Sequence, residues 1–249
     1  MAEAAQILRP TDDEARALAR LLLRGSRYMS LAVLDPSTGF PSVSRALTAI
    51  DLDGVPVVLV SALSGHTKGL LADPRSSLLA GEPGKGDPLA HPRVTVQCRA
   101  EAVGRESENF DRIRTRFLCR HSKARLYIDF PDFLFFRLVP EQASLNGGFG
   151  RAYMLSGDEL LAPPAALPAG WMALHERLAL DGSAAAILAR RLGLAAKAWR
   201  FGLVDPAGID LICNDELVRH EFATLNALPE DVMRYICEPT KVQSELPHI

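Results

Sequence analysis

Residues 28 to 61, YMSLAVLDPSTGFPSVSRALTAIDLDGVPVVLVS, hold three apolar runs separated by Asp35-Pro36-Ser37-Thr38-Gly39 and by Asp53-Gly54. Turns this short join only antiparallel neighbours, because a parallel pair needs a crossover of a dozen residues or more. The chain is therefore committed early to an antiparallel meander. Before it, TDDEARALARLLLRG has capping-box spacing at Thr11 and leucines at helical intervals, which predicts a helix over 11–25.

The stretch SALSGHTKGLLADPRSSLLAG, residues 61–81, predicts a short helix and, from Ser76, a fourth strand. GEPGKGDPLAHP is too rich in glycine and proline for anything but a loop, and RVTVQCRAEAV is a fifth strand. Helix is expected from Ser107 to about Leu126, with Phe110, Ile113, Phe117 and Leu118 on one buried face, and DFLFFRLVPEQASLN returns to extended structure. Few helices interrupt these strands, which suits a closed barrel better than a doubly wound sheet.

SGDELLAPPAALPAG marks a boundary, giving a first domain over 1–158, a linker over 159–170 and a second domain over 171–249. The tail reads as helix (DGSAAAILARRLG), three strands (WRFGLVDPAGIDLICNDELVRHEF) and helix (LPEDVMRYICEPT), a small α+β unit.

A formal net charge of −2 gives no general drive toward nucleic acid or anionic membrane. No basic leader and no apolar run of membrane-spanning length are present, so a cytoplasmic protein is expected. Cys98, Cys119, Cys213 and Cys237 form no C-x-x-C pair, and neither a disulfide framework nor a metal site is expected.

Chemistry concentrates at two places. Ser61, Ser64, His66, Thr67 and Lys68 gather where a strand meets a helix start, a setting in which free amides, hydroxyls and one ammonium can cradle an anion. Arg45 on the neighbouring strand can face the same cavity and clamp a phosphate bidentately, or can stand on a solvent-facing position. In NGGFGRA, residues 146–152, Phe149 offers a flat face and Arg151 a carboxylate partner, as a planar ligand with acidic arms requires; a tight turn explains the same glycines. His121 ends a helix and reads as complementing its dipole, while His220 reads as solvent-facing.

HTKGLLADPRSSLL and NGGFGRA, set in this order of strands, resemble the pyridoxamine 5′-phosphate oxidase-like flavoproteins, in particular their haem-utilisation branch. The resemblance implies an FMN-binding split β-barrel that dimerises with itself, followed by a small C-terminal α+β domain. It implies that Ser44 and Arg45 lie beside the flavin phosphate and ribityl chain, with Ser61, Ser64, His66, Thr67 and Lys68 completing the cradle. It further implies flavin-dependent redox chemistry or haem handling, for which Phe149 and Arg151 of NGGFGRA would suit haem and its propionates, and the tail residue His248 is placed similarly to histidines that some relatives use as iron ligands. A non-catalytic flavin or haem binder is the alternative. Gly182 stands where relatives carry a histidine in LALDGSAAAIL, so that histidine's role is not available here.

Overall fold

The computed structural model describes residues 8–148, 150–162, 168–223 and 228–237. The chain divides into two compact units, Met1–Leu161 and Ala162–Ile249. The first unit opens with α1 (Asp13–Gly25). Its cap is Asp12, whose side chain accepts from the Ala15 amide at 2.8 Å; the hydroxyl of Thr11 donates instead to the Met154 carbonyl.

The strands are β1 (Tyr28–Leu34), β2 (Pro41–Ile50), β3 (Pro56–Ser61), β4 (Arg75–Ala80), β5 (Arg93–Val103), β6 (Phe133–Asn146) and β7 (Ala152–Ser156). They run in the order β3-β2-β1-β4-β5-β6-β7, and a further β3–β6 pairing closes six of them into an antiparallel barrel. β6 makes this possible by its length. Its start pairs with β3, its end, Gln142–Asn146, pairs with β7, and β5 follows it through most of its course. The barrel expected from the sequence is thus present, with a split-barrel-like form in which β7 extends the sheet beyond the closure.

Two neighbouring rows of side chains show what the register does. Leu31, Leu78, Val96, Ala143 and Leu155 are aligned across β1, β4, β5, β6 and β7, and all are buried in the barrel core. One residue along, Arg45, Ser30, Leu79, Thr95, Ser144 and Met154 form a row on the opposite face, and none of them is buried. Strand side chains alternate between faces, so the two rows must differ in this way.

Over β3, the end of β2 and the start of β6 the outer face is covered. α3 (Phe110–Arg120) lays Ile113 and Phe117 on Ala49, Val57, Leu59 and Phe135, with the Phe117 and Phe135 rings edge to face at 5.6 Å. Each large apolar side chain buried there contributes about 1.5–3 kcal/mol. The helix stops at Arg120, short of the expected Leu126, and a 3-10 turn follows over Ser122–Leu126. The cause lies at His121, which leaves helical geometry (φ −126°, ψ 66°) and donates from Nε2 to the Thr48 carbonyl at 2.8 Å.

The residues expected as a loose boundary are partly structured. Gly157–Leu160 is a 3-10 turn closed by a Ser156/Glu159 capping box, and Arg16 Nε reaches Glu159 Oε1 at 2.8 Å. At Gly157 a Cβ would stand 2.0 Å from the Pro140 carbonyl oxygen, so no side chain fits.

The second unit contains α4 (Pro168–Ala179), α5 (Gly182–Arg191), β8 (Arg200–Asp205), β9 (Gly208–Cys213), β10 (Glu216–Glu221) and α6 (Pro229–Cys237), with the strands in a β10-β9-β8 meander. α4 is an element the sequence reading lacked. Its Trp171, Leu174, His175 and Leu178 are buried at helical spacing. Among the described residues no helix is long and apolar enough to cross a membrane.

Candidate functional site

β2 delivers consecutive side chains to opposite faces of the sheet. Ser44 lies on the face of the buried Ala46 and Thr48, and its Oγ is hydrogen-bonded to Nδ1 of His66 at 3.0 Å. His66 belongs to α2 (Gly65–Ala72), which packs on β1 so closely that a Cβ on Gly69 would meet Val33 Cγ2 at 2.7 Å. Partial burial pushes the His66 pKa below the ordinary imidazole value, which keeps the ring neutral at pH 7.

Arg45 leaves by the outer face. Its guanidinium carbon lies 5.0 Å from the centroid of the Tyr28 ring, and it makes no ion pair among the described residues. The cradle expected from the sequence is therefore not one inward-facing cavity. Arg45 stands outside the wall, and Ser44 with His66 stands inside it. A ligand shared by Arg45 and the exposed Lys68 would have to approach from outside, around the edge where β2 meets α2.

The hydroxyls divide as well. Ser61 Oγ donates to Asp132 at 3.0 Å, and the Thr67 hydroxyl, fully buried, donates to the Ser61 carbonyl at 2.7 Å. Both shape the loop into α2. Ser64 is the N-cap of α2, yet its side chain makes no capping bond, and Lys68 has no side-chain partner among the described residues. Ser64, Lys68 and the first helical amides are thus the parts of the cradle open to a ligand.

At the second constellation the turn reading describes the geometry. The Gly147 amide donates to the Arg151 carbonyl at 2.8 Å, Gly148 and Gly150 take positive φ (98° and 68°), and the Arg151 guanidinium folds back to donate to the Gly147 carbonyl at 2.7 Å. The hollow beside Glu14, Gly147 and Arg151 measures about 10 Å³. Phe149 and His248 lie outside the described residues.

The remaining histidines are engaged elsewhere. Burial pushes the His121 pKa down to about 4, so the ring is neutral and does not complement the helix dipole as the sequence suggested. His220 is not solvent-facing: its Nε2 meets the Tyr235 hydroxyl at 2.6 Å and the rings stack. His175 Nδ1 faces the Gly202 carbonyl, and His91 Nε2 the Lys85 carbonyl. Among the described residues no group of three or more His, Cys, Asp or Glu is arranged to hold a metal.

Sequence reasoning passed over Tyr28, which supports Arg45, and Asp132, which holds Ser61. The strand register was the signal for the first, since Tyr28 pairs with Leu47 and Ser30 with Arg45, placing all four on one face. Beside that row a second one, Val43, Ala32, Ser77, Gln97, Gln142 and Ser156, carries no charge, so Arg45 is the one charged residue of the two rows.

The family model described as CREG, beta-barrel matches residues 10–162. Heme oxygenase HutZ of Vibrio cholerae is 32% identical over 141 residues, 54% of this chain and 77% of HutZ. The chloroplastic heme oxygenase HOZ of Arabidopsis thaliana is 34% identical over 140 residues, 56% of this chain but 42% of HOZ, so the chain spans less than half of that relative's length. Among solved structures, Atu2129 of Agrobacterium tumefaciens, of unknown function, is similar at TM-score 0.78 and 29% identity, covering 94% of this chain and 99% of that one.

Proposed function

Since the chain belongs to the CREG β-barrel family and has the heme oxygenase HutZ among its relatives, we propose that it is a haem-utilisation protein that binds haem on the outer face of the barrel and degrades it. The observation that carries this reading is Arg45: an exposed guanidinium, supported by an aromatic ring, as the one charge in two uncovered rows of a six-strand face. A flat, largely apolar molecule with carboxylate arms matches such a surface, because the ring stack needs no charge and a carboxylate needs one fork. The fit is to the propionates.

Bound haem supplies the redox-active iron and, with dioxygen and an electron donor, the oxidation of its own ring. What this chain contributes is binding charge at Arg45 and a surface that a second copy can close over to exclude water. A homodimer is part of the proposal: Leu79 and Met154, 42% and 38% exposed in the same row as Arg45, are apolar positions that a partner would bury.

A second reading, FMN as bound cofactor, is favoured by the α2 entrance, where Ser64 and Lys68 are uncommitted and suit a phosphate better than a carboxylate. FMN titration followed by flavin fluorescence separates it from haem binding.

The test is to mix the full chain with one equivalent of hemin, ascorbate and air and follow the Soret band. Decay faster than that of free hemin supports degradation. Tight binding with a stable band would instead make the protein a haem carrier, and absence of a perturbed Soret band would remove haem from the account.

A further inference from the structure

The second unit holds a hollow of about 570 Å³ that the barrel chemistry does not use. One wall is α5, through Ala186, Ile187, Ala189 and Arg190; the other is the segment from Leu194 to Trp199, which contributes three more alanines. Alanines on both walls leave the space between them unfilled. Its volume lies within the range of small-molecule sites, which are mostly apolar with a few placed polar groups.

The wall formed by that segment is held in position. Trp199 is buried, and its indole Nε1 donates to the Ala195 carbonyl at 2.8 Å. Lys197 forms an ion pair with Glu216, and its ammonium lies 5.8 Å from the Trp199 ring. At the end of α5, Gly193 (φ 70°) and Leu194 return amide bonds to the Arg190 and Ala189 carbonyls, so backbone acceptors there are satisfied. A site built before its ligand arrives loses less entropy on binding.

Charge then selects the ligand. The Lys197 ammonium is already neutralised by Glu216. Arg190 lines the same hollow and makes no side-chain hydrogen bond or ion pair among the described residues. An apolar bed with one uncompensated guanidinium at its rim complements an amphipathic anion, with the apolar body between the alanine walls and the carboxylate on the fork of Arg190.

We propose that this hollow binds an amphipathic organic carboxylate, with Arg190 as its anion contact and Ala186 and Ile187 lining its apolar part beside the buried Ala189 and Trp199. The inference is independent of the haem reading, since it rests on residues of the second unit alone.

The probe is decanoate, kept below its micellar concentration and titrated into the full chain. Trp199 emission is read in a Trp171→Phe background, and calorimetry on the unmodified chain provides a measurement that does not depend on that variant folding. A saturable change is expected, weakened at least about fivefold by Arg190→Gln, as loss of a charge-assisted contact implies. Ala186→Phe, which fills the hollow, should abolish it, and 1-decanol should bind more weakly than decanoate. The proposal is overturned by absence of saturable binding in calorimetry, by affinity unchanged in both variants, or by equal affinity for the alcohol.

Discussion

Arg45 holds its guanidinium carbon 5.0 Å from the centroid of the Tyr28 ring, on the face of β2 turned away from Ser44 and His66. An arginine set over an exposed ring is worth about 0.5–1 kcal/mol, enough to bias its direction without locking it. Tyr28→Ala should therefore weaken hemin binding by about two- to fivefold. Tyr28→Phe, which keeps the ring, should leave it unchanged. Absorbance titration of the three proteins is the check.

The exposed row that contains Arg45 also contains Leu79, which pairs with Ser30 on one side and Thr95 on the other. If a second copy covers this face, Leu79→Lys places a buried, unpaired ammonium in the interface and should convert a dimer to a monomer. The side chain is exposed within one chain, so its own fold should survive. Sedimentation of the parent and the variant decides: a parent that is already monomeric ends the dimer part of the account.

His121 gives the fold an acid dependence. Burial lowers its pKa from the usual 6.5 to about 4, so between those values the unfolded chain takes up a proton that the folded chain refuses. Stability should accordingly fall as pH drops from about 6.5 toward about 4, by up to about 3 kcal/mol from this group, and not change further on its account below that. His121→Gln retains a donor toward the Thr48 carbonyl and cannot titrate. Its urea midpoint should vary less across pH 4–7 than that of the parent; equal slopes would refute the assignment.

In the second unit Arg219 is wholly buried, with Asp205 at 2.7 Å, Glu221 at 2.9 Å and Asp210 at 3.3 Å. Arg219→Met removes the cation and leaves buried carboxylates facing one another. A loss of about 3–5 kcal/mol in chemical denaturation is expected, as for other buried ion pairs broken on one side. A loss under about 1 kcal/mol would mean that the carboxylates are compensated elsewhere.

Local pattern made most of the barrel legible. Turn residues and alternation were sufficient to find β1 to β5, and neighbours in sequence specify the β1–β2, β2–β3 and β4–β5 pairings, whereas β4 pairs with β1 across more than forty residues. Closure was not legible, since it depends on β6 pairing with β3 across more than seventy residues, and nothing in DFLFFRLVPEQASLN announces a strand shared by three partners. α4 was hidden by the proline- and alanine-rich stretch before it, although Trp171, Leu174, His175 and Leu178 carry the spacing. Among the site residues, pattern could not tell which hydroxyls the fold itself consumes. Ser61 and Thr67 looked available and are committed to Asp132 and to backbone, while Ser44 and Arg45, adjacent in sequence, are separated by the sheet. Histidines were misread for a related reason: the partners of His121 and His220 come from other elements.

The central claim is that Arg45 on the outer wall supplies the charge that holds haem. Its most direct test is hemin titration of the parent chain and of Arg45→Glu, read by Soret absorbance, with circular dichroism confirming that both are folded. The account predicts saturation in the parent and at least about tenfold weaker binding in the variant, since a charge-assisted contact worth about 1.5–3 kcal/mol becomes a repulsion. Equal affinity in the two folded proteins would contradict it.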